Sequence, residues 1–174
     1  MSTERKSGLV ALIGRPNAGK STLLNRVLGS SVSIVTPKAQ TTRERVLGIL
    51  TAPEGQIVFV DTPGIHKAKA GGFNEFMVGE AGEALDGPNQ VWYLVDPDSE
   101  LEHEQAVIAI LEKKADRKTP VSLILNKSDV RSKSAKTDAL VAAIEKKLKD
   151  LGFVSILTWH ISGRRGQGVD SLLA

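Results

Sequence analysis

Three short groups of residues in this chain have the types and spacing to hold a nucleotide. The first is Gly14-Arg15-Pro16-Asn17-Ala18-Gly19-Lys20-Ser21-Thr22, which fits G-x-x-x-x-G-K-[ST], a phosphate-binding loop. Gly14 and Gly19 allow backbone angles that a Cβ would forbid, so successive N–H groups can converge on a phosphate chain. Residues Asn17, Ala18, Gly19, Lys20, Ser21 and Thr22 are expected to line that chain. Lys20 is expected to reach the β- and γ-phosphates and Ser21 to ligate Mg²⁺. The second group is Asp61-Thr62-Pro63-Gly64. An acid ending an apolar strand downstream of a phosphate loop is the usual second Mg²⁺ contact, here Asp61. Gly64, without a side chain, can bring its N–H against the γ-phosphate. The third group is Asn126-Lys127-Ser128-Asp129. A carboxylate such as Asp129 accepts two parallel hydrogen bonds from N1–H and the exocyclic amine of guanine, whereas adenine offers an acceptor at N1. With adenine, a desolvated carboxylate would stay unpaired, at a cost of roughly several kcal/mol. Lys127 can lay its alkyl stem along the base. The amides of Ser162 and Gly163 are candidates for the guanine O6.

These groups need strands and helices to place them. Leu9–Ile13 is a short apolar run, read as a buried strand, and Leu23, Leu24, Val27 and Leu28 recur at helical spacing after the loop. Residues 45–51 and 56–60 read as two strands of a hairpin, turned by Ala52-Pro53-Glu54-Gly55. A helix is expected near 74–85, then strands over 91–95, 120–125 and 153–159. Helices are expected after Asp98 or Ser99, which would cap the first of them, over 135–150, and from about Gly166. Asp96-Pro97-Asp98 admits a paired-carboxylate site, but a turn before a capped helix explains it better. Strands thus alternate with helices apart from one hairpin. The expected fold class is α/β, a mostly parallel central sheet with one antiparallel hairpin strand and helices on both faces. All three groups follow the C-terminal ends of strands, where open α/β sheets bind ligands.

Composition sets limits on the rest. The 174 residues suit one domain, and 41% hydrophobic residues suffice for a core. There is no cysteine, hence no disulfide framework or thiolate metal site. His66, His103 and His160 are far apart and read as surface or core residues rather than ligands. With 23 Lys and Arg against 20 Asp and Glu, the net +3 hints only weakly at nucleic acid. No run of apolar residues is long enough to span a bilayer, and the polar first seven residues do not form a signal peptide. A cytoplasmic protein is expected.

The three groups, with Lys38-Ala39-Gln40-Thr41-Thr42-Arg43 between the first two, resemble the Era family of translation-factor-type GTPases. The likeness runs from about Gly8 to Ala174. It implies a P-loop NTPase G domain over residues 1–174 that binds GTP and hydrolyses it slowly to GDP as a molecular switch. It also implies that Thr42, with Thr41 as the alternative, sits on Mg²⁺ and the γ-phosphate. The family's C-terminal KH domain, which engages small-subunit ribosomal RNA during ribosome assembly, is not in this sequence. Members associate peripherally with the inner membrane. Where the family usually has Ser-Ala this chain has Ser162-Gly163. The G domain of the tRNA-modifying protein TrmE shares the phosphate loop and is the alternative within the superfamily. A nucleotide-gated RNA-binding module with incidental hydrolysis is the alternative function. Gly163-Arg164-Arg165-Gly166 also fits a KH backbone clamp, though no chain surrounds it to form that domain.

In Ras-like GTPases a glutamine after Asp-x-x-Gly orients the attacking water. Here Ile65 takes that place, with His66 next to it. Arg15, Arg43 and Arg45 are arginine-finger candidates only by their nearness in sequence. The amide oxygen of Asn17, carbonyls of Thr36–Gln40 and phosphate oxygens would form an all-oxygen site for a hard cation. Relatives with this asparagine are similar to GTPases that use K⁺ there, which makes Asn17 a catalytic candidate with Lys20, Thr42 and Gly64. The plainer alternative is that Asn17 only caps the loop.

Overall fold

A computed structural model describes residues 6–29, 45–61, 85–129 and 134–174. Strand β1 (Lys6–Gly14) is the axis of the sheet. It leads into helix α1 (Lys20–Leu28), and then β2 (Arg45–Ala52) and β3 (Gly55–Asp61) form the expected hairpin. Strand β4 (Gln90–Val95), helix α2 (Leu101–Lys114), β5 (Val121–Leu125), α3 (Ala135–Asp150), β6 (Ile156–His160) and α4 (Val169–Leu173) complete the order. The strands lie β2-β3-β1-β4-β5-β6, and only the β2–β3 pair is antiparallel. This is the expected α/β architecture. β1 has β3 on one side and β4 on the other, so successive connections leave it in opposite directions. Such a switch point opens a crevice beyond the strand's C-terminal end.

Alternation along the strands divides the core in two. Ala11 and Ile13 of β1 face the side covered by Val107, Ile108 and Leu111 of α2 and Leu140, Ile144 and Leu148 of α3. Val10 and Leu12 face the other side, with Leu23, Leu24, Val27 and Leu28 of α1 and Val169 and Leu172 of α4. The first turn of α1 is thereby fixed against the sheet. Leu23 is fully buried, and its truncation to alanine would cost roughly 2–5 kcal/mol.

Several boundaries differ from the sequence expectations. β1 starts three residues early because Lys6 and Ser7 pair with Gly55 and Gln56 of the hairpin, which needs no apolar side chain. Phe153 is buried but precedes β6; Gly152 turns the chain after α3 in a left-handed conformation (φ 94°), and the Phe153 ring lies under the Arg117 guanidinium, 4.8 Å away. α4 starts later than Gly166, because Gly166 and Gly168 both take positive φ. Neither Asp98 nor Ser99 caps α2. The N-cap is Glu100, with no side-chain cap, and the Ser99 hydroxyl is used elsewhere. The expected helix near 74–85 lies outside the described residues except for Leu85, which is buried in the α2–α3 side of the core. Among the described residues no helix is long and apolar enough to cross a membrane.

Candidate functional site

Gly14 ends β1 so close to β4 that a Cβ there would stand 2.5 Å from the Leu94 carbonyl oxygen. Gly19, at φ 94°, passes against the Asn126 side chain, which a Cβ would strike. Between them the loop crests at Pro16 and Asn17, both exposed. Asn17 takes a left-handed backbone (φ 66°), and its side chain has no hydrogen-bond partner among the described residues. The loop turns back through an Ala18 N–H bond to the Arg15 carbonyl, 3.2 Å. Lys20, the first residue of α1, is 7% exposed. Its Nζ donates to the carbonyls of Gly14 (2.6 Å) and Arg15 (3.0 Å), so the ammonium is held at the mouth of the loop. A cavity of ≈ 530 Å³ lies over this turn, lined by Pro16, Asn17, Gly19, Lys20, Ser21, Thr22 and Lys127. The phosphate-loop residues and one residue of the third motif therefore share one cavity.

Asn126 joins the two motifs. It is 2% exposed, and its Nδ2 donates to the Ala18 carbonyl at 3.0 Å. Its Oδ1 accepts from the Gly163 amide and from the Lys127 amide, each at 2.9 Å. The phosphate loop, the end of β5 and the loop after β6 thus meet on one side chain. Asp129 is held in turn by the Ser162 hydroxyl, which donates to its Oδ1 at 2.6 Å. That hydrogen bond, with its own backbone N–H and the charges of Arg165 and Arg164, holds the Asp129 carboxyl below its ordinary range despite some loss of hydration. Arg165 Nε lies 3.6 Å from Oδ2. An ionised, pre-oriented carboxylate is what two parallel donors on a base require.

Several details refine the sequence reading. The Ser162 amide donates to the Gln167 carbonyl (2.9 Å) and the Gly163 amide to Asn126, so each N–H expected for O6 is spent within the protein here. Lys127, at φ 64°, borders the cavity but places its Nζ on Asp96 Oδ2 at 2.5 Å. The other Asp96 oxygen accepts the Asp98 amide, so Asp96-Pro97-Asp98 is a turn with an ion pair and not a carboxylate pair. Arg15, an arginine-finger candidate, turns instead to α2, where its Nη1 donates to Ser99 Oγ at 3.0 Å. The loop 163–166, which the sequence context sets apart from a KH clamp, is tied to α1: Arg26 donates to the carbonyls of Gly163 (3.3 Å) and Arg164 and fixes that loop to the site.

Asp61 ends β3 in register with Leu12, two residues before the phosphate loop begins. Thr42, Gly64, Ile65, His66 and the stretch 36–43 lie outside the described residues. Sequence reasoning missed Arg26 and Glu104 and gave Asp96 and Ser99 other roles. Only Glu104 had a signal, its helical phase with the buried face of α2.

A family profile described as "50S ribosome-binding GTPase" matches residues 9–127. GTPase Era of Lacticaseibacillus paracasei is 42% identical over 171 residues, covering 98% of this chain and 54% of its own. GTPase Era of Clostridium beijerinckii is 42% identical over 168 residues, covering 97% and 53%. A crystal structure of Era in complex with MgGDPNP and nucleotides 1506–1542 of 16S ribosomal RNA is 36% identical, with a TM-score of 0.63, covering 98% of this chain and 55% of that one. The chain spans about half the length of these relatives.

Proposed function

Because this chain belongs to the GTPase family described as 50S ribosome-binding GTPases, with relatives named GTPase Era, we propose that it is the guanine-nucleotide switch domain of an Era-type protein. The observation that supports this most is the Asn126 junction. It makes the phosphate cradle around Lys20 and the base-reading carboxylate of Asp129 one connected unit. Guanine binds at Asp129 through two donors, and the triphosphate extends over the loop to Lys20. Water attacks the γ-phosphorus, the bond to the β–γ bridging oxygen breaks with its electron pair going to GDP, and phosphate leaves.

The residues suit Mg²⁺. Ser21 borders the cavity, Asp61 ends the neighbouring strand, and hydroxyl and carboxylate oxygens are hard donors. With Thr42 they would hold the ion, which when bound offsets charge on the transferring group. Ile65 has no group to orient water, so unassisted turnover should be about 10⁻⁴ to 10⁻³ s⁻¹, by analogy with intrinsic Ras hydrolysis. Asn17, exposed on the crest, supports a K⁺ site that takes the place of an arginine finger. The segments around Thr42 and Gly64 would report the nucleotide state.

The 16S ribosomal RNA fragment in the Era complex supports small-subunit ribosomal RNA as the partner, engaged in the resembled family mainly through a KH domain. These residues alone should then bind RNA weakly with a shallow salt slope. Sub-micromolar, sequence-selective RNA binding by them would overturn that assignment. The nucleotide reading is tested by binding GDP, GTP and ATP to the purified chain. GTP and GDP are expected to bind far more tightly than ATP, and equal or tighter ATP binding would end the proposal.

A further inference from the structure

Glu104 is a carboxylate in the first turn of α2 that is only 1% exposed. A helix start favours an acid, but an exposed one would serve, and burying a carboxylate is costly unless its oxygens are satisfied. Both are. The Tyr93 hydroxyl donates to Oε2 at 2.6 Å, and the Ser99 hydroxyl donates to Oε1 at 2.5 Å. A hydroxyl has a single proton, and that of Ser99 goes to Oε1. The Ser99 oxygen is then an acceptor toward its other neighbour, and that neighbour is the Arg15 guanidinium at 3.0 Å. The order of donation is fixed as Arg15 to Ser99 to Glu104, with Tyr93 on the far side. Arg15 also directly precedes the crest of the phosphate loop. Its carbonyl receives both the Lys20 ammonium (3.0 Å) and the Ala18 amide (3.2 Å). Residue 15 is therefore held by its side chain to α2 and by its carbonyl to the cradle.

We propose that Ser99 and Glu104 are positioning residues for the phosphates: through Arg15 they hold the start of the phosphate loop in its binding shape, at the end of the loop away from its Asn126 junction, while the base-reading carboxylate of Asp129 is held by Ser162. This rests on the guanine-nucleotide reading above. The Arg15 guanidinium is an anchor that faces α2 and does not itself contact the nucleotide.

The test measures GTP and inosine triphosphate affinity for the parent and for Arg15→Met, Ser99→Ala, Ser99→Thr and the Arg15→Met/Ser99→Ala pair. Inosine lacks the exocyclic amine, so the ratio of the two affinities reads the base pocket alone. Arg15→Met leaves the Ser99–Glu104–Tyr93 bonds intact and keeps a readout if Ser99→Ala folds poorly. Losing one hydrogen bond to a charged group should weaken both nucleotides about tenfold in Arg15→Met and in Ser99→Ala. The GTP-to-inosine ratio should stay unchanged, Ser99→Thr should restore parent affinity, and the double variant should be no weaker than either single. If Arg15→Met weakens binding and Ser99→Ala does not, Arg15 contacts the nucleotide directly and the proposal is wrong. If neither changes affinity, or the ratio moves with it, the proposal is also wrong. A parent that binds ATP as well as GTP would refute the nucleotide reading instead, and the two failures are distinct.

Discussion

Replacing Asn126 by aspartate changes one atom at the point where the phosphate loop meets the base loop. The parent side chain is used at both ends. Nδ2 donates to the Ala18 carbonyl at 3.0 Å, and Oδ1 accepts the Gly163 and Lys127 amides at 2.9 Å. Aspartate keeps the acceptor, and its charge strengthens those two bonds somewhat. Its second oxygen then faces the Ala18 carbonyl oxygen in a nearly closed site. The lost bond is worth about 1 kcal/mol, and the orphaned carbonyl adds about 1–3 kcal/mol, partly offset by the stronger acceptor. The net cost should be about 2 kcal/mol, which for a domain of this size lowers Tm by about 4–8 °C. Asn126→Ala removes these bonds together with the long one to the Gly19 carbonyl (3.5 Å) and leaves two amides and the Ala18 carbonyl without this partner, so it should cost about 3–4 kcal/mol. Thermal unfolding of the nucleotide-free chain, followed by circular dichroism at neutral pH, would measure both. The aspartate variant should also recover as pH falls, because a protonated carboxyl can again donate to Ala18. The reasoning is refuted if Asn126→Asp melts within a degree of the parent, or if alanine is tolerated better than aspartate.

Asp129→Asn should shift preference from guanosine to xanthosine nucleotides, because an amide then meets a carbonyl in place of the guanine amine; unchanged GTP affinity would remove Asp129 from base reading. The Asp129 carboxyl titrates below its ordinary value of 3.8, chiefly through Ser162, so its ionised form favours the folded state. That contribution is complete above the ordinary value and is lost as pH falls through the lower folded one. In Ser162→Ala the loss should therefore begin at higher pH in urea titrations, and coincident pH profiles would contradict it. Gly163→Ala restores the residue usual in the resembled family, yet here its Cβ would lie 3.2 Å from the Leu23 backbone and 3.3 Å from Asn126 Oδ1. It should destabilise by about 1–2 kcal/mol, since helix backbone does not yield readily, and a raised Tm would show that α1 moves instead. GTP turnover should be faster in KCl than in NaCl at equal ionic strength, and Asn17→Ala should abolish the difference; a K⁺ stimulation that survives the substitution would exclude Asn17.

The parts legible in the sequence are those whose signals are local. The phosphate loop is a contiguous motif, its glycines answer to steric demands within a few residues, and the apolar runs around it show strand and helix periods directly. The order of the three motifs along alternating strands and helices then determined that they would gather at one edge of the sheet. Contacts between distant residues left no such mark. Arg26 holds the loop after β6 across 137 residues, and Asn126 reaches Ala18 across 108. The motif assigns the asparagine to the nucleotide, and the contacts by which it also holds the two loops together have no trace in the sequence. Its apolar character reads Phe153 as a strand residue, but a residue can fill a core from a turn as well as from a strand.

Glu104 shows how a local reading can stop one step short. Glu100, Glu102 and Glu104 together look like an acidic first turn that favours a helix start, and for the exposed Glu102 that explanation is sufficient. Yet Glu104 precedes Val107, Ile108 and Leu111 by three, four and seven residues, and these form the buried face of α2. The same period that identified the helix placed this one carboxylate on its apolar side. A charge in that phase must find donors inside the protein. The nearest side chains able to donate are a hydroxyl just before the helix, Ser99, and a tyrosine on the strand beneath, Tyr93. Ser99 reads as a cap for the same helix, but a cap would use its oxygen to accept a backbone N–H; here the hydroxyl gives its proton to Glu104 and turns its oxygen to a side chain outside the helix. The hydroxyl oxygen was thereby left to accept from Arg15, which is how a side chain in the core of the sheet comes to act on the loop that holds the phosphates.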